Sequence, residues 1–294
     1  MDLRSLLLGL AFVTMWSSAF TSARIVVADA PPFLILAVRY LISGLMALGI
    51  AWALGQRIRL NRQQWGAVIL FGICQNTLYL GLNFTAMQWV EASVAVIIAS
   101  ALPLTVAACG WLFLGERLRT LGLLGLAAGF GGVVFIMSSR LTTGVDPIGV
   151  ALCIAGLLAL TTATLLVRSV TMSGNLLMIV GLQMLVGCVT LLPLSAVTET
   201  WIINPTLSLA LAFTYTTLFP GLIATLVWFV LVNRIGATRA ASLHFLNPFL
   251  GVAIASFVLS EQITIRDLIG VAIVMVSIIA VQRAGQDNRE VPKK

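Results

Sequence analysis

The sequence predicts an all-α membrane protein: ten transmembrane helices as two inverted five-helix repeats, with both termini cytoplasmic. Composition is the first of three observations behind that expectation. With 60% hydrophobic and 9% charged residues among 294 and a mean hydropathy of +1.08, the chain carries more apolar surface than a water-soluble core could hide. The second observation is an internal repeat. Residues 92–136 and 237–281 align without a gap at an offset of 145 and share nine identities: Ala92/Ala237, Ala95/Ala240, Pro103/Pro248, Ala108/Ala253, Leu114/Leu259, Glu116/Glu261, Leu123/Leu268, Gly125/Gly270 and Ala127/Ala272. Ala and Leu match often by chance in so apolar an alphabet, but a proline followed 13 residues later by a glutamate in both copies points to duplication. The third observation is where the cations fall.

Uncharged runs of about 20 residues span a hydrocarbon core of about 30 Å at about 1.5 Å per residue. Such runs place helices at 5–28, 31–54, 65–88, 91–114, 118–139, 147–168, 175–197, 206–233, 237–259 and 264–282. The last is the weakest, because Arg266 and Asp267 leave only Leu268 to Gln282 uncharged. Turn chemistry at Pro31-Pro32, Ser173-Gly174-Asn175 and Asn204-Pro205 sets boundaries. The start superficially resembles a signal peptide, but its apolar run is too long and Pro31-Pro32 follows, so a mature helix is expected. The domains expected are a first repeat over 1–143, a second over 144–284 and a cytoplasmic tail over 285–294. Cys74, Cys109, Cys153 and Cys188 all fall in apolar runs and read as buried thiols rather than a disulfide framework.

Orientation follows from the Lys and Arg residues. With the N-terminus inside, the cytoplasmic face holds Arg4, Arg57, Arg59, Arg62, Arg117, Arg119, Arg168, Arg234, Arg239, Arg283, Arg289, Lys293 and Lys294, and the outer face only Arg24, Arg140 and Arg266. That bias also explains the net charge of +7 without a nucleic-acid partner, since no element carries a basic stripe. Trp52, Trp65, Trp89, Trp111 and Trp201 lie near helix ends, as an interfacial belt requires. Each repeat holds an odd number of helices, so the second enters the membrane from the opposite side. The loop with Arg57, Arg59 and Arg62 corresponds to Thr198-Glu199-Thr200, and Glu116-Arg117 to Glu261-Gln262. Inverted repeats of this kind are a feature of secondary transporters, in which pseudo-symmetric halves enclose a midplane site.

Trp16-Ser17-Ser18-Ala19-Phe20, the spacing from Pro32 to Arg39, and Leu114-Gly115-Glu116-Arg117 with its weaker echo Leu259-Ser260-Glu261 resemble the EamA-type branch of the drug/metabolite transporter superfamily, over about residues 5–284. Within that branch the chain is similar to bacterial exporters of amino acids. The resemblance implies export of aromatic and other neutral amino acids across a multi-pass bacterial inner-membrane protein. Gln262 departs from the motif, where an Arg would have repeated it.

Polar groups at membrane mid-depth need protein or a polar cavity, so they are the candidate substrate-binding residues. Asn76, Tyr79 and Asn83 stand at i, i+3 and i+7 of the third helix and would share one face; interhelical hydrogen bonding is the plainer use for them. Trp16 lies too deep for the interfacial belt and would suit an aromatic substrate or plain core packing. Ser17 and Thr161 occupy equivalent positions and are either site hydroxyls or small packing residues. Trp228 and the single histidine, His244, complete the binding candidates.

Arg39, about 12 Å below the outer helix end, is costly in hydrocarbon. It could attract a carboxylate or clamp helix-end carbonyls, and the resemblance favours the clamp; Gln183 is its counterpart. Pro103 and Pro248 are expected as mid-helix kinks or hinges that free a carbonyl, with Asn247 capping the second break. Glu116 and Glu261, at helix ends, are expected to tie down loops. Gly125 and Gly129 form one GxxxG, for close packing or dimerisation.

No membrane helix carries an Asp or Glu in its middle third, which argues for uncoupled facilitation or exchange by alternating access, with proton antiport through His244 as the alternative. An intramembrane enzyme is disfavoured, because neither His-Glu-x-x-His nor Gly-x-Ser-x-Gly occurs. No catalytic residue, metal or cofactor is expected, and a channel or scaffold would not need inverted halves. The partners expected are small-molecule substrates, namely amino acids, and the lipid bilayer, with a monomer sufficient. Another metabolite or a drug on the same fold is the alternative substrate class.

Overall fold

A computed structural model describes residues 2–57, 60–116, 118–142, 144–168, 176–235, 240 and 243–287. Among these residues there is no strand, and ten helices follow one another. They are α1 (Leu3–Asp29), α2 (Pro32–Ala53), α3 (Arg62–Ala86), α4 (Ala92–Phe113), α5 (Thr120–Thr142), α6 (Pro147–Arg168), α7 (Leu176–Thr198), α8 (starting with Leu207–Thr216 and ending with Ala224–Ile235), α9 (Leu243–Leu259) and α10 (Ile265–Asp287). All but α9 are long and apolar enough to cross a membrane as described; the start expected for α9, at 237, lies outside the described residues. So do the turn at 173–175, Arg117, Arg239 and the end of the tail.

The chain forms two compact units. One comprises Met1–Thr21, Val90–Val150 and Ile223–Lys294, the other Ser22–Trp89 and Ala151–Leu222. Each unit draws helices from both repeats, and in each a helix pairs antiparallel with its own repeat counterpart. In the first unit α5 lies along α10. Gly122, Gly125, Gly129 and Gly132 ascend α5 while Ala284, Val281, Ser277 and Val274 descend α10 opposite them. A Cβ added at Gly125 would sit 3.0 Å from Val281 Cγ2, and one at Gly270 would overlap the Ile136 side chain. These two contacts are images of each other at the offset of 145, so the duplicated helices meet by one rule read in both directions. The GxxxG stripe thus serves packing within the chain. In the second unit α2 lies along α7, where Gly44 and Gly181 face each other. A Cβ on either would come within 3.2 and 3.0 Å of the other's carbonyl oxygen.

Prolines act differently from the kinks expected of them. α4 is two segments, Ala92–Ser100 and Leu102–Phe113, joined at Ala101 (φ −73°, ψ 0°), and Pro103 lies in the first turn of the second segment. α9 opens as a 3₁₀ turn, Leu243–Leu246, and Pro248 likewise lies in the first turn of Asn247–Leu259. There a missing N–H costs nothing, because the first N–H groups of a helix have no intrahelical partner. Asn247 does not cap that break; its amide turns to His244 instead.

Two further interruptions were invisible in the sequence. Ile73–Leu80 in α3 and Thr217–Ile223 in α8 widen into π-helix, at positions related by the repeat offset. Pro220 accounts for the second, since it has no N–H to give the regular ladder. The hydroxyl of Thr217 donates back to the Phe213 carbonyl at 2.6 Å.

Polar ties join helix ends, and each joins ends that the cation count assigns to one face. In the first unit the Glu261 carboxylate accepts from the N–H groups of Ala92 and Ser93 at 2.8 and 2.9 Å. Buried Arg140 donates to both Asp267 oxygens (3.1 and 2.8 Å), to Glu91 (2.5 Å) and to the Gln262 carbonyl (3.1 Å). These are outer ends. At an inner end Arg234 donates to Asp2 at 2.6 Å and to Ser5 at 3.1 Å. The Ser5 hydroxyl first, then Arg234, hold the Asp2 carboxyl at about 2 against an ordinary 3.8. A depressed carboxylate stabilises above its unfolded value and loses that as pH falls toward the folded one, so this tie persists at any pH above about 4.

In the second unit Glu199 accepts from Phe33 and Leu34 N–H at 2.7 and 3.0 Å, again at outer ends. At an inner end Gln56 accepts from Met178 N–H at 3.1 Å. Glu116 folds its carboxylate against Gly110, where a Cβ would lie 2.5 Å from Oε2.

Gly125→Leu is expected to destabilise the fold by about 1 to 3 kcal/mol through overpacking, seen as a lowered melting temperature of the purified protein, whereas Leu124→Ala on the exposed neighbour leaves it nearly unchanged. Removing the double cap with Glu261→Ala is expected to cost about 1 to 2 kcal/mol in the same measurement.

Candidate functional site

In the first unit, α1 presents Phe12, Trp16 and Phe20 at i, i+4 and i+8, a spacing that stacks side chains on one helical face. The 3₁₀ turn that opens α9 places His244 against two of them, and α8 adds Trp228. The imidazole centroid is 5.4 Å from Phe12, 5.8 Å from Trp16 and 5.5 Å from Trp228, each met at a steep angle. Phe12 and Trp228 lie 4.8 Å apart, Trp16 and Phe20 5.3 Å. Leu231, Leu243 and Val13 back this cluster as packed core. Trp16, Trp228 and His244 remain half-buried, whereas Phe12 and Phe20 are buried.

In a 3₁₀ turn residues i and i+3 eclipse, which brings the Asn247 Nδ2 to 2.7 Å from His244 Nδ1. An amide nitrogen can only donate, so Nδ1 accepts and the ring proton sits on Nε2. The Asn247 Oδ1 is buried without a partner, a condition that costs about 1 to 3 kcal/mol in an apolar setting. Ser17 reaches the Asn247 carbonyl at 3.4 Å. The enclosure therefore offers aromatic faces, one N–H donor and one unused acceptor.

The second unit gathers the other candidates differently from their spacing. The π-helical turn shifts the register, so Asn76, Tyr79 and Asn83 do not share the regular face their spacing predicts, and all three side chains are buried. Asn76 donates to the Gln183 carbonyl at 2.7 Å, and Asn83 donates back to the Tyr79 carbonyl at 2.8 Å. Thr161 donates to Leu157 in its own helix at 2.8 Å. Gly187 and Gly156 permit these contacts: a Cβ at Gly187 would lie 2.6 Å from the Asn76 Cβ, and one at Gly156 2.5 Å from the Asn83 Nδ2.

Arg39 is buried, with no partner on Nε, and no carbonyl or carboxylate among the described residues accepts from it, so the clamp expected of it is not formed. The Tyr40 hydroxyl, the Gln183 Oε1, the Asn83 Oδ1 and the Thr216 hydroxyl are buried and unpartnered as well. Sequence reasoning passed over Phe12, Tyr40, Thr216 and Glu199. Phe12 stands one turn before Trp16 and was within reach of a periodicity argument; the others depend on helices distant in sequence.

The model of the EamA-like transporter family matches the chain twice, over residues 3–138 and 147–282. The chain is similar to the uncharacterized transporter YvbV of Bacillus subtilis (27% identical, 95% of this chain and 91% of the relative). It also resembles the uncharacterized transporter sll0355 of Synechocystis sp. (28%, 97% and 92%) and the uncharacterized inner membrane transporter YedA of Escherichia coli (24%, 92% and 88%). A solved crystal structure matches with a TM-score of 0.67 at 20% identity, over 96% of this chain and 99% of that one, a likeness of fold.

Gly187→Ala is expected to push α7 from α3 and lower stability by about 1 to 3 kcal/mol, measured by thermal unfolding in detergent.

Proposed function

Because the chain belongs to the EamA-like transporter family, we propose that it is a secondary transporter exporting aromatic and other neutral amino acids across a bacterial inner membrane by alternating access. The observation that carries this reading is the aromatic enclosure of Phe12, Trp16, Trp228 and His244, with the unpaired Asn247 Oδ1 at its edge. Ring faces favour an apolar or aromatic side chain and attract a cation. The free amide oxygen suits an ammonium donor. Asn76, Tyr79, Asn83, Thr161 and Ser17 take part through the polar contacts of their helices, and Tyr79→Ala is expected to lower flux without impairing insertion.

Transport is facilitation or exchange down the substrate gradient, supported by the lack of mid-helix carboxylates in the sequence. Proton antiport is the second reading, favoured by the hydrogen-bonded imidazole inside the enclosure. Another metabolite or drug remains the substrate if amino acids fail.

Counterflow of labelled phenylalanine in proteoliposomes at equal pH on both sides is expected to proceed, and Trp228→Ala or Asn247→Leu to slow it about tenfold, the effect of about 1.4 kcal/mol of lost binding. Flux that strictly requires a pH gradient and vanishes in His244→Asn selects antiport. Absence of counterflow for all twenty amino acids overturns the substrate class.

A further inference from the structure

We infer that the second unit holds a binding site for a small monovalent anion, built on Arg39, Ser43 and the wide turn Thr217–Ile223. Arg39 is 6% exposed, its Nε lacks a partner, and no carboxylate among the described residues pairs with it. The nearest ring is that of Tyr40, 5.7 Å away. A guanidinium does not shed its proton to escape such a setting. A cation at membrane depth therefore calls for a counter-charge that none of the described carboxylates supplies.

The geometry says where that charge sits. Arg39 and Ser43 are one turn apart on α2, and both reach Gly221: the point its Cβ would occupy is 3.4 Å from Arg39 Nη2 and 3.6 Å from Ser43 Oγ, with the Thr216 carbonyl oxygen 3.1 Å away on the turn's own backbone. Ser43's only described bond, to the Thr217 carbonyl, is long at 3.5 Å, so the hydroxyl is free to turn toward an anion. The Thr216 hydroxyl, 1% exposed and unpartnered, stands immediately before that turn. A guanidinium with hydroxyl donors, beside a glycine that adds no side chain of its own, matches one negative charge. A divalent phosphate would be left half-neutralised.

Chloride and the carboxylate of a substrate share this chemistry. The chloride case stands independently of the amino-acid reading, and the carboxylate case rests on it.

The test is thermal unfolding of the purified protein in HEPES as the sole anion, titrated with sodium chloride, phenylalanine or phenylalaninamide at matched ionic strength. A free-anion site gives a saturable rise with chloride, roughly 5 °C or more at a hundredfold excess over Kd. A substrate-carboxylate site gives the rise with phenylalanine but not with phenylalaninamide. Arg39→Gln, and Gly221→Val, which fills the space and keeps the charge, are expected to abolish either response; Ser43→Ala weakens binding about tenfold. Responses that are absent in the unmodified protein, or that persist in the variants that fold, overturn the inference. A chloride response without a phenylalanine response upholds the site and counts against the amino-acid substrate alone.

Discussion

Hydrocarbon offers no hydrogen bonds, so any backbone group released from a helix there must find a partner in the protein. Two irregular features among the described residues show polar side chains answering that demand. The break in α4 is flanked by Ser100 and Thr105, whose hydroxyls donate to the carbonyls of Val96 and Leu102 at 2.6 and 3.0 Å. The π-helical stretch in α3 is followed by Asn83, which returns its amide to the Tyr79 carbonyl. At the α3 stretch the residue that answers the break, Asn83, is also a candidate for function. Structure and site draw on one small stock of buried polar groups.

The symmetry of the breaks gives that stock its arrangement. Prolines at 103 and 248 begin half-helices, and the wide turns at 73–80 and 217–223 fall at equivalent places in the two repeats. The first pair has diverged in its polar residues. The α9 break carries His244 and Asn247, while its α4 counterpart carries Ala99 and Leu102. The two wide turns, by contrast, both carry polar groups: Asn76 and Tyr79 on one, Thr217 on the other.

Helix number, order and most boundaries were legible in the sequence, because hydropathy and cation bias report directly on the bilayer; α10 runs on to Asp287, five residues past its uncharged stretch. Glu261, just past the end of α9, accepts from two N–H groups that open α4. What the sequence hid depends on backbone register. A π-turn moves Asn76 and Tyr79 relative to Asn83 without altering their spacing, and the half-helix breaks turn supposed kinks into helix starts. Glu199 was read only as a loop residue lacking cations, because its partners Phe33 and Leu34 lie more than 160 positions earlier. Arg39 was found by its cost in lipid, yet its lack of any carbonyl partner is a fact of packing that no pattern of letters contains.

The mirrored contacts Gly125 with Val281 and Ile136 with Gly270 make the chain a homodimer interface fused into one gene. In a true homodimer one mutation alters both halves of such a seam at once; here each half mutates separately and leaves its mate unchanged. A methyl gained by either glycine must be answered on the opposing helix, and that answer lies in the other repeat. The two copies have diverged over most of their length, yet at this seam Gly125 and Gly270 are still the same residue.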